Sequence, residues 1–112
     1  MTRDLPAWRS LLYVPASAQR FVAKAHERGA DAVILDLEDG VAPDAKPAAR
    51  AGLPASVASV RRGGADVLVR INRPLRMAVQ DIEAAVAAGA DALVCTKIMG
   101  ADHVRLLSEL TA

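Results

Sequence analysis

Short apolar runs alternate along the chain with longer stretches in which apolar residues recur every three or four positions. The short runs, rich in Val, Ile and Leu, predict buried parallel-type strands at residues 10–14, 32–37, 67–71 and 92–96. The longer stretches predict helices at residues 18–28, 44–62 and 78–88, and a fourth with Val104, Leu107 and Leu110 on one face. The βαβαβαβα order predicts a parallel sheet with right-handed crossovers.

The tripeptide Gly-Ala-Asp marks the boundaries between these elements. It occurs at residues 29–31, 64–66 and 89–91, each time just before a predicted strand. Glycine is favoured just past a helix C-terminus, where a left-handed residue ends the helix. Each copy therefore predicts a helix end, a tight turn and a strand start.

Local signals also predict how two of the helices begin and where one is interrupted. Ser17 and Asp44 are plausible N-caps for the first and second helices. Gly52 and Pro54 are expected to break or kink the second helix, because proline cannot donate the interior hydrogen bond.

Composition and charge narrow the class of protein. The chain has 112 residues, enough for one small domain, and its 53% hydrophobic content argues against disorder. The net charge is +1 and no basic run stands out, so neither a nucleic-acid nor a membrane-surface partner is expected. The start has no apolar stretch typical of a signal peptide, and no run approaches the roughly 20 residues of a membrane span. A cytoplasmic protein is the default expectation.

Cysteine and histidine give no sign of a metal cluster. Cys95 is the single cysteine and lies in an apolar run, which predicts a buried, inert thiol. His26 and His103 lie on predicted helices without a second ligand at suitable spacing, so both are interpreted as structural or exposed.

Polar and charged residues gather where the predicted strands end. These residues are Asp36, Glu38 and Asp39 after the second strand, Arg70 and Asn72 at the third, and Thr96 and Lys97 at the fourth. In parallel α/β proteins, ligands bind outside the carboxyl ends of the strands, in both doubly wound sheets and (β/α)8 barrels. Acids beside Arg and Lys suit an anionic substrate, or a metal shared with a substrate carboxylate. No glycine-rich phosphate loop follows the first strand, which disfavours a nucleotide site.

Each of these residues also has a purely structural interpretation. Asp39 can cap the next helix or pair with a cation, and Arg70 can form an internal salt bridge to Asp36 or Glu38. Lys97 can be a solvated lysine at a strand end. Lys46 and Arg50, four residues apart, are expected on a solvated helix face.

Four segments together resemble the HpcH/HpaI aldolase and citrate lyase beta-subunit family. They are RSLLYVP at 9–15, GADAVILDLEDGVAPDAK at 29–46 with Arg50 following, VLVRIN at 67–72, and AAGADALVCTK at 87–97. The resemblance implies a (β/α)8 TIM barrel, usually oligomeric. Residues 1–112 would form its first four βα units, a half barrel that is the N-terminal half of the lyase domain. Such a half would need a homo-oligomer or a complementing half-barrel to cover its open edges.

The resemblance also implies a chemistry, namely Mg²⁺-dependent carbon–carbon cleavage of acyl-CoA thioesters such as citryl-CoA or malyl-CoA, or of 2-keto acids. It implies the following roles: Asp36, Glu38 and Asp39 catalytic on the metal side; Arg70, Asn72 and Lys97 binding substrate; Lys46 and Arg50 toward the CoA phosphates. The direct ligands of Mg²⁺ are expected outside this chain, so none is assigned within it.

The chain departs from the family pattern at three positions, and this keeps other functions open. Ala16 stands where the family usually has glycine, Thr96 where it has proline, and Met99 where it has an acid. One alternative is a non-catalytic half-barrel that only binds a ligand or partner. Another is a 2-keto-acid aldolase that does not use CoA.

Overall fold

One parallel sheet of four strands, in the order in which they occur along the chain, organises the fold. The computed structural model describes residues 4–112. Its strands are β1 (Leu11–Pro15), β2 (Ala32–Asp36), β3 (Asp66–Ile71) and β4 (Ala92–Cys95). Its helices are α1 (Gln19–Ala25), α2 (Lys46–Ala51), α3 (Leu53–Arg61), α4 (Leu75–Ala87) and α5 (Ala101–Ser108). Short 3₁₀ turns cover Pro43–Ala45 and Glu109–Thr111. The predicted alternation of strands and helices is therefore confirmed.

The break predicted in the second helix is confirmed, but both predicted N-caps are wrong. Gly52 separates α2 from α3, and Pro54 lies in the first turn of α3, where no N–H is needed. The first helix is shorter than predicted and is preceded by Ala18, so Ser17 does not cap it. Asp44 lies within the 3₁₀ turn and makes no cap hydrogen bond.

Helix α4 begins before its predicted start and buries a different stripe. It starts at Leu75, directly after Pro74, which leads the chain into the first turn. The sequence pattern placed Val79, Ile82 and Val86 on the buried face, but Val86 is 48% exposed. The buried residues are Ala78, Asp81, Ile82 and Ala85. The buried stripe of α4 is therefore shifted around the helix relative to the predicted one, and Val86 lies outside it.

The three Gly-Ala-Asp copies form the predicted turns. Their glycines, Gly29, Gly64 and Gly89, have φ of 76°, 85° and 84°, the left-handed region that disfavours other residues. The three aspartates that follow, Asp31, Asp66 and Asp91, are called here the amino-end aspartates. Each lies at the amino end of the sheet and accepts hydrogen bonds there.

The amino-end aspartates hold neighbouring segments in place. Asp31 accepts from the backbone N–H of Arg9 at 2.7 Å, and Asp66 accepts from the indole of Trp8 at 2.8 Å. Asp91 accepts from the backbone N–H of Val67 at 2.8 Å. These carboxylates therefore help to align the starts of the strands.

The two faces of the sheet are covered differently. Side chains such as Leu35 and Val69 point into the main core, to which all of the buried apolar side chains of the described helices also belong. On the opposite face Ile34 and Leu68 form a small second cluster, with Trp8 packed against it and no helix contributing. Because side chains alternate along a strand, this second face also carries Asp36 and Arg70, which are register partners. Two of the residues predicted to form a site, Asp36 and Arg70, therefore lie on the face that no helix of residues 4–112 covers.

The described part of the chain holds no membrane-spanning candidate. None of its helices combines the length and the apolar character that crossing a bilayer requires.

Candidate active site

Asp36 and Arg70 form a bidentate ion pair at the carboxyl ends of β2 and β3. Arg70 donates from Nε to Oδ1 of Asp36 at 2.8 Å and from Nη2 to Oδ2 at 2.6 Å. Asp36 also accepts from the backbone N–H groups of Glu38 and Gly40, both at 2.8 Å. Both carboxylate oxygens are thus fully used, which suits an anion whose side chain is only 4% exposed.

These contacts shift the pKa values of both partners. Burial alone raises the pKa of the Asp36 carboxyl, but the hydrogen bonds from Arg70, Glu38 and Gly40 and the charge of Arg70 outweigh it, so the pKa lies below its usual value. The hydrogen bond to Asp36 raises the pKa of Arg70, against a smaller opposing effect of burial. The pair is therefore fully charged at neutral pH.

Arg70 keeps one edge free for a ligand. Its guanidinium carbon lies 4.7 Å from the centre of the Tyr13 ring, so aromatic contact steadies the group in addition to Asp36. In the part of the chain that the structure describes, Nη1 has no hydrogen-bond partner. The internal salt bridge predicted as the structural interpretation of Arg70 is thus present, and Nη1 takes no part in it. The substrate-binding role of Arg70 stays a prediction.

Glu38 presents a buried oxygen without a partner. Its Oε2 accepts from Nζ of Lys97, whereas its Oε1 has no hydrogen bond and lies 3.6 Å from Nε of Arg70. The Glu38 side chain is 7% exposed. A buried, unsatisfied carboxylate oxygen costs about 1–3 kcal/mol, so this position needs an explanation beyond packing.

Lys97 and Asp39 complete the group on its exposed side. Lys97 has a φ of 53°, a left-handed conformation that is unusual for a residue with a side chain. Its hydrogen bond to Glu38 raises the pKa of Lys97. Asp39 lies 3.6 Å from Nζ of Lys97, is 75% exposed and caps no helix. Asp36, Glu38, Asp39, Arg70 and Lys97 are called here the carboxyl-end cluster.

Lys46 and Arg50 do not form a solvated face. Lys46 donates from Nζ to the carbonyl oxygens of Leu37 at 2.9 Å and Glu38 at 2.6 Å. Arg50 donates from Nε to Oδ1 of Asp81 at 2.7 Å, and its side chain is 19% exposed. The prediction of a solvated face is wrong because both side chains turn inward from α2. Lys46 binds carbonyl oxygens of the loop after β2, and Arg50 binds a carboxylate on α4. Their contact with CoA phosphates stays a prediction.

Asn72 and Asp81 form a buried polar pair beside the carboxyl-end cluster. Asn72 donates from Nδ2 to the carbonyl oxygen of Leu37 at 2.9 Å and to Oδ2 of Asp81 at 2.8 Å. Asp81 was missed from the sequence because an acid on a helix usually faces solvent. A signal was available, since Asp81 lies on the same stripe as Ala78, Ile82 and Ala85. The substrate-binding role of Asn72 stays a prediction.

The remaining singled-out residues lie apart from the cluster. Cys95 is half-buried, and burial raises the pKa of its thiol. His26 lies 3.7 Å from a carboxylate oxygen of Glu27. His103 accepts a hydrogen bond from the backbone N–H of Met99 at 3.1 Å. Thr96 donates to the carbonyl oxygen of Ile71 at 3.3 Å.

The donor set of the described residues does not by itself fit a metal ion. No group of three or more His, Cys, Asp or Glu side chains within residues 4–112 is placed to hold one. Both oxygens of Asp36 are engaged, which leaves Oε1 of Glu38 as the one buried acceptor of the cluster that is free. Mg²⁺ prefers octahedral oxygen coordination, which a single carboxylate oxygen cannot supply.

Comparison with known proteins assigns the family. The family model described as HpcH/HpaI aldolase/citrate lyase matches residues 9–112. The chain belongs to this family. A "(3S)-malyl-CoA thioesterase" of Cereibacter sphaeroides is 37% identical over 111 residues, covering 98% of this chain and 39% of that protein. The "Citrate lyase subunit beta" of Leuconostoc mesenteroides subsp. cremoris is 32% identical over 103 residues, covering 91% of this chain and 34% of that protein. The chain therefore spans 39% of the length of this thioesterase relative.

Proposed function

We propose that this HpcH/HpaI chain contributes the carboxylate-binding side of an active site that cleaves a carbon–carbon bond in a carboxylated acyl-CoA thioester. The observation that carries the proposal is the carboxyl-end cluster, in which Nη1 of Arg70 is a free donor and Oε1 of Glu38 a free, buried acceptor. A free donor and a free acceptor within one cluster suit a substrate that carries both a carboxylate and a hydroxyl group.

Each residue has a role in this proposal. Arg70 donates from Nη1 to the substrate carboxylate, and Asp36 keeps the guanidinium oriented. Glu38 accepts a hydrogen bond from the substrate hydroxyl at Oε1 and takes its proton as the adjacent carbon–carbon bond breaks. Lys97 and Asp39 place one positive and one negative charge on the exposed side of the carboxyl-end cluster. Asn72 supports the loop after β2. The electron pair of the broken bond stays on the CoA fragment as its enolate, which takes a proton from solvent at carbon, and Glu38 returns its own proton to solvent. The products are a 2-oxo acid and a shorter acyl-CoA.

The proposed reaction also requires Mg²⁺, whose ligands would come from outside this chain. When bound, the ion offsets negative charge that develops on the thioester oxygen. The described residues do not form its site. Chelation is expected to abolish turnover, and added Mg²⁺ to restore it.

Four further strands are part of the same proposal. β1 and β4 are the edges of the described sheet, and one face of the sheet lacks helices. We propose that strands from the rest of the assembly, or from a partner subunit, close a (β/α)8 barrel over this face.

The decisive experiment uses the protein in the form in which its native host produces it, with (3S)-malyl-CoA as the probe. Carbon–carbon cleavage yields glyoxylate and acetyl-CoA, with no free thiol. Glyoxylate is measured as its phenylhydrazone. We expect glyoxylate from the wild type and about a hundredfold less from an Arg70→Met variant.

A thioester hydrolase is the second candidate, and the identity to proteins named "(3S)-malyl-CoA thioesterase" favours it. Hydrolysis of the same probe releases malate and free CoA, whose thiol is detected by a colorimetric reagent. Free thiol without glyoxylate would replace the lyase proposal by this one. Citryl-CoA is tested in the same way, with oxaloacetate as the product of cleavage. If neither thioester is cleaved or hydrolysed, the non-catalytic interpretation stands. Turnover of a 2-keto acid that free CoA does not inhibit would indicate a CoA-independent aldolase.

A further inference from the structure

Asp81 is a fully buried carboxylate that the proposed chemistry does not use. It lies on α4, is 0% exposed and accepts three hydrogen bonds. They come from Nε of Arg50 at 2.7 Å, from the backbone N–H of Asn72 at 2.9 Å and from Nδ2 of Asn72 at 2.8 Å. A buried ion pair adds little net stability compared with apolar packing, so stability alone does not explain this arrangement.

The hydrogen bonds of Asp81 lead to the loop that carries Glu38. Because Asp81 accepts from both the backbone N–H and Nδ2 of Asn72, it fixes the orientation of that side-chain amide. The same Nδ2 also donates to the carbonyl oxygen of Leu37 at 2.9 Å. Lys46 donates to that carbonyl from another direction at 2.9 Å, and to the carbonyl of Glu38 at 2.6 Å.

The peptide between Leu37 and Glu38 is therefore held on every side. The N–H of Leu37 donates to the carbonyl oxygen of Arg70 at 3.0 Å, and the N–H of Glu38 donates to Oδ1 of Asp36 at 2.8 Å. With the carbonyl contacts just described, both N–H groups and both carbonyl oxygens of these two residues are bonded. Such a rigid backbone can hold a buried, unsatisfied carboxylate oxygen where a mobile one would turn it toward solvent.

We propose that Asp81 is a positioning residue, which acts through Asn72 on the Leu37–Glu38 peptide to keep Oε1 of Glu38 facing Arg70. The effect on catalysis rests on the proposed function, whereas the effect on the peptide does not. Asp81 touches no atom of the carboxyl-end cluster directly. Its influence depends on the amide of Asn72.

Two variants interrupt this path at different points. Asp81→Asn keeps the shape but offers one acceptor oxygen where Asp81 uses two, so an N–H group must face either Arg50 or Asn72. Asn72→Ser keeps a hydroxyl that can bind Asp81 but is too short to reach the carbonyl of Leu37 as well. Glu83→Gln is the matched control, because it removes an exposed carboxylate from the same helix.

The first measurement is backbone amide exchange in the protein without substrate. We expect the amides of Leu37 and Glu38 to exchange about tenfold faster in Asp81→Asn and Asn72→Ser, relative to the amide of Ile34 in the same molecule. Glu83→Gln leaves all three rates unchanged. A merely structural role predicts that the three amides speed up together, and that result would overturn the proposal.

The second measurement is turnover of (3S)-malyl-CoA. We expect kcat of Asp81→Asn and Asn72→Ser to fall about tenfold or more, with KM within about twofold of the wild type, since Glu38 acts on the reacting hydroxyl. An unchanged kcat per folded molecule contradicts the proposal.

The two measurements separate the two proposals. A wild type that turns over no substrate refutes the proposed function, and amide exchange then still decides whether Asp81 positions the peptide. If Asp81→Asn does not fold, Asn72→Ser decides both readouts.

Discussion

The two ends of the sheet use acidic residues in opposite ways. At the amino end, Asp31, Asp66 and Asp91 accept hydrogen bonds from the backbone and side chains of neighbouring segments. At the carboxyl end, Asp36 and Glu38 are buried beside Arg70, and one oxygen of Glu38 has no hydrogen-bond partner.

The difference shows how similar residues can be separated into structural and functional groups. At the amino end the acids bind groups that are fixed by the fold, and the turn glycines before them set their place. At the carboxyl end, one buried carboxylate oxygen of Glu38 has no hydrogen-bond partner. Lys97, which pairs with Glu38, adopts an unfavourable left-handed backbone conformation. An unsatisfied buried group and a strained residue both cost stability, and this is why the proposed ligand site is placed at the carboxyl end.

Replacing Arg70 should have the largest effect on stability. Arg70→Met leaves the buried carboxylate of Asp36 without its cation, so we expect the free energy of unfolding to fall by about 3 kcal/mol. Urea denaturation measures this. Arg105→Met is the control, since Arg105 pairs with Asp102 on the surface, 78% and 95% exposed, and its loss should cost at most about 0.5 kcal/mol. An equal fall in the free energy of unfolding in the two variants would show that the ion pair at the carboxyl end contributes no more than a surface pair.

Two glycines, one at each end, separate stability from activity. A Cβ at Gly63 would lie 2.2 Å from the backbone carbonyl oxygen of His26, whereas a Cβ at Gly40 would lie 2.6 Å from the side-chain Oδ2 of Asp36. Backbone yields less readily than a side chain, so Gly63→Ala should cost about 2 kcal/mol and Gly40→Ala about 1 kcal/mol.

Activity per folded molecule should show the reverse order. Gly40→Ala displaces Asp36 and with it Arg70, so kcat/KM falls, while Gly63→Ala leaves it unchanged. Thermal unfolding and turnover of (3S)-malyl-CoA measure the two quantities. A loss of kcat/KM in Gly63→Ala as large as that in Gly40→Ala would contradict the division between the ends.

The pH dependence of stability should carry the signature of Asp36. Its pKa is lowered in the folded protein, so the unfolded chain binds more protons as pH falls, and stability rises with pH in this range. The contribution is complete above the unfolded pKa of about 3.9 and is lost as pH falls through the lower folded pKa. Urea titrations between about pH 5 and pH 2 should show a weaker dependence of the free energy of unfolding on pH for Asp36→Asn than for the wild type.

Asp31 offers a comparison at the other end. Its pKa is also lowered, mainly by the backbone N–H of Arg9, but Asp31 is more exposed than Asp36. Asp31→Asn should therefore flatten the acid slope less than Asp36→Asn does. The opposite order would mean that the amino end dominates acid stability.

The smallest effect on stability is expected for Glu38→Gln. Losing the attraction to Lys97 and Arg70 destabilises the protein, but losing a buried anion with a free oxygen stabilises it, so the net change should stay within about 1 kcal/mol. Turnover should nevertheless fall strongly, because the proposed proton acceptor is gone. Asp91→Asn, which weakens contacts to Arg61 and Val67, should lower stability and spare turnover. Turnover retained in Glu38→Gln would argue against its catalytic role.

Much of the fold was predictable because it depends on local patterns. Apolar runs mark strands, and Gly-Ala-Asp marks the turns, since a left-handed residue excludes most side chains. Cap residues were not predictable in this way, because Ser17 and Asp44 have several possible partners and the chain geometry selects among them. Helix α4 shows the same limit, because the spacing of its apolar residues did not indicate that Asp81 lies on the buried face and Val86 outside it.

The sequence by itself determined that the acids and Arg70 follow the ends of parallel strands, and its motifs identify the family. Only the tertiary structure decided which charges meet. The strand register sets Asp36 opposite Arg70, so that Asp36 binds Nε and Nη2 of the guanidinium, and the side chains of Lys46 and Arg50 turn inward from α2. Burial of Asp81 and the free oxygen of Glu38 likewise depend on contacts between residues far apart in the chain. Charge and periodicity are local properties, whereas hydrogen-bond satisfaction is a property of the assembled fold.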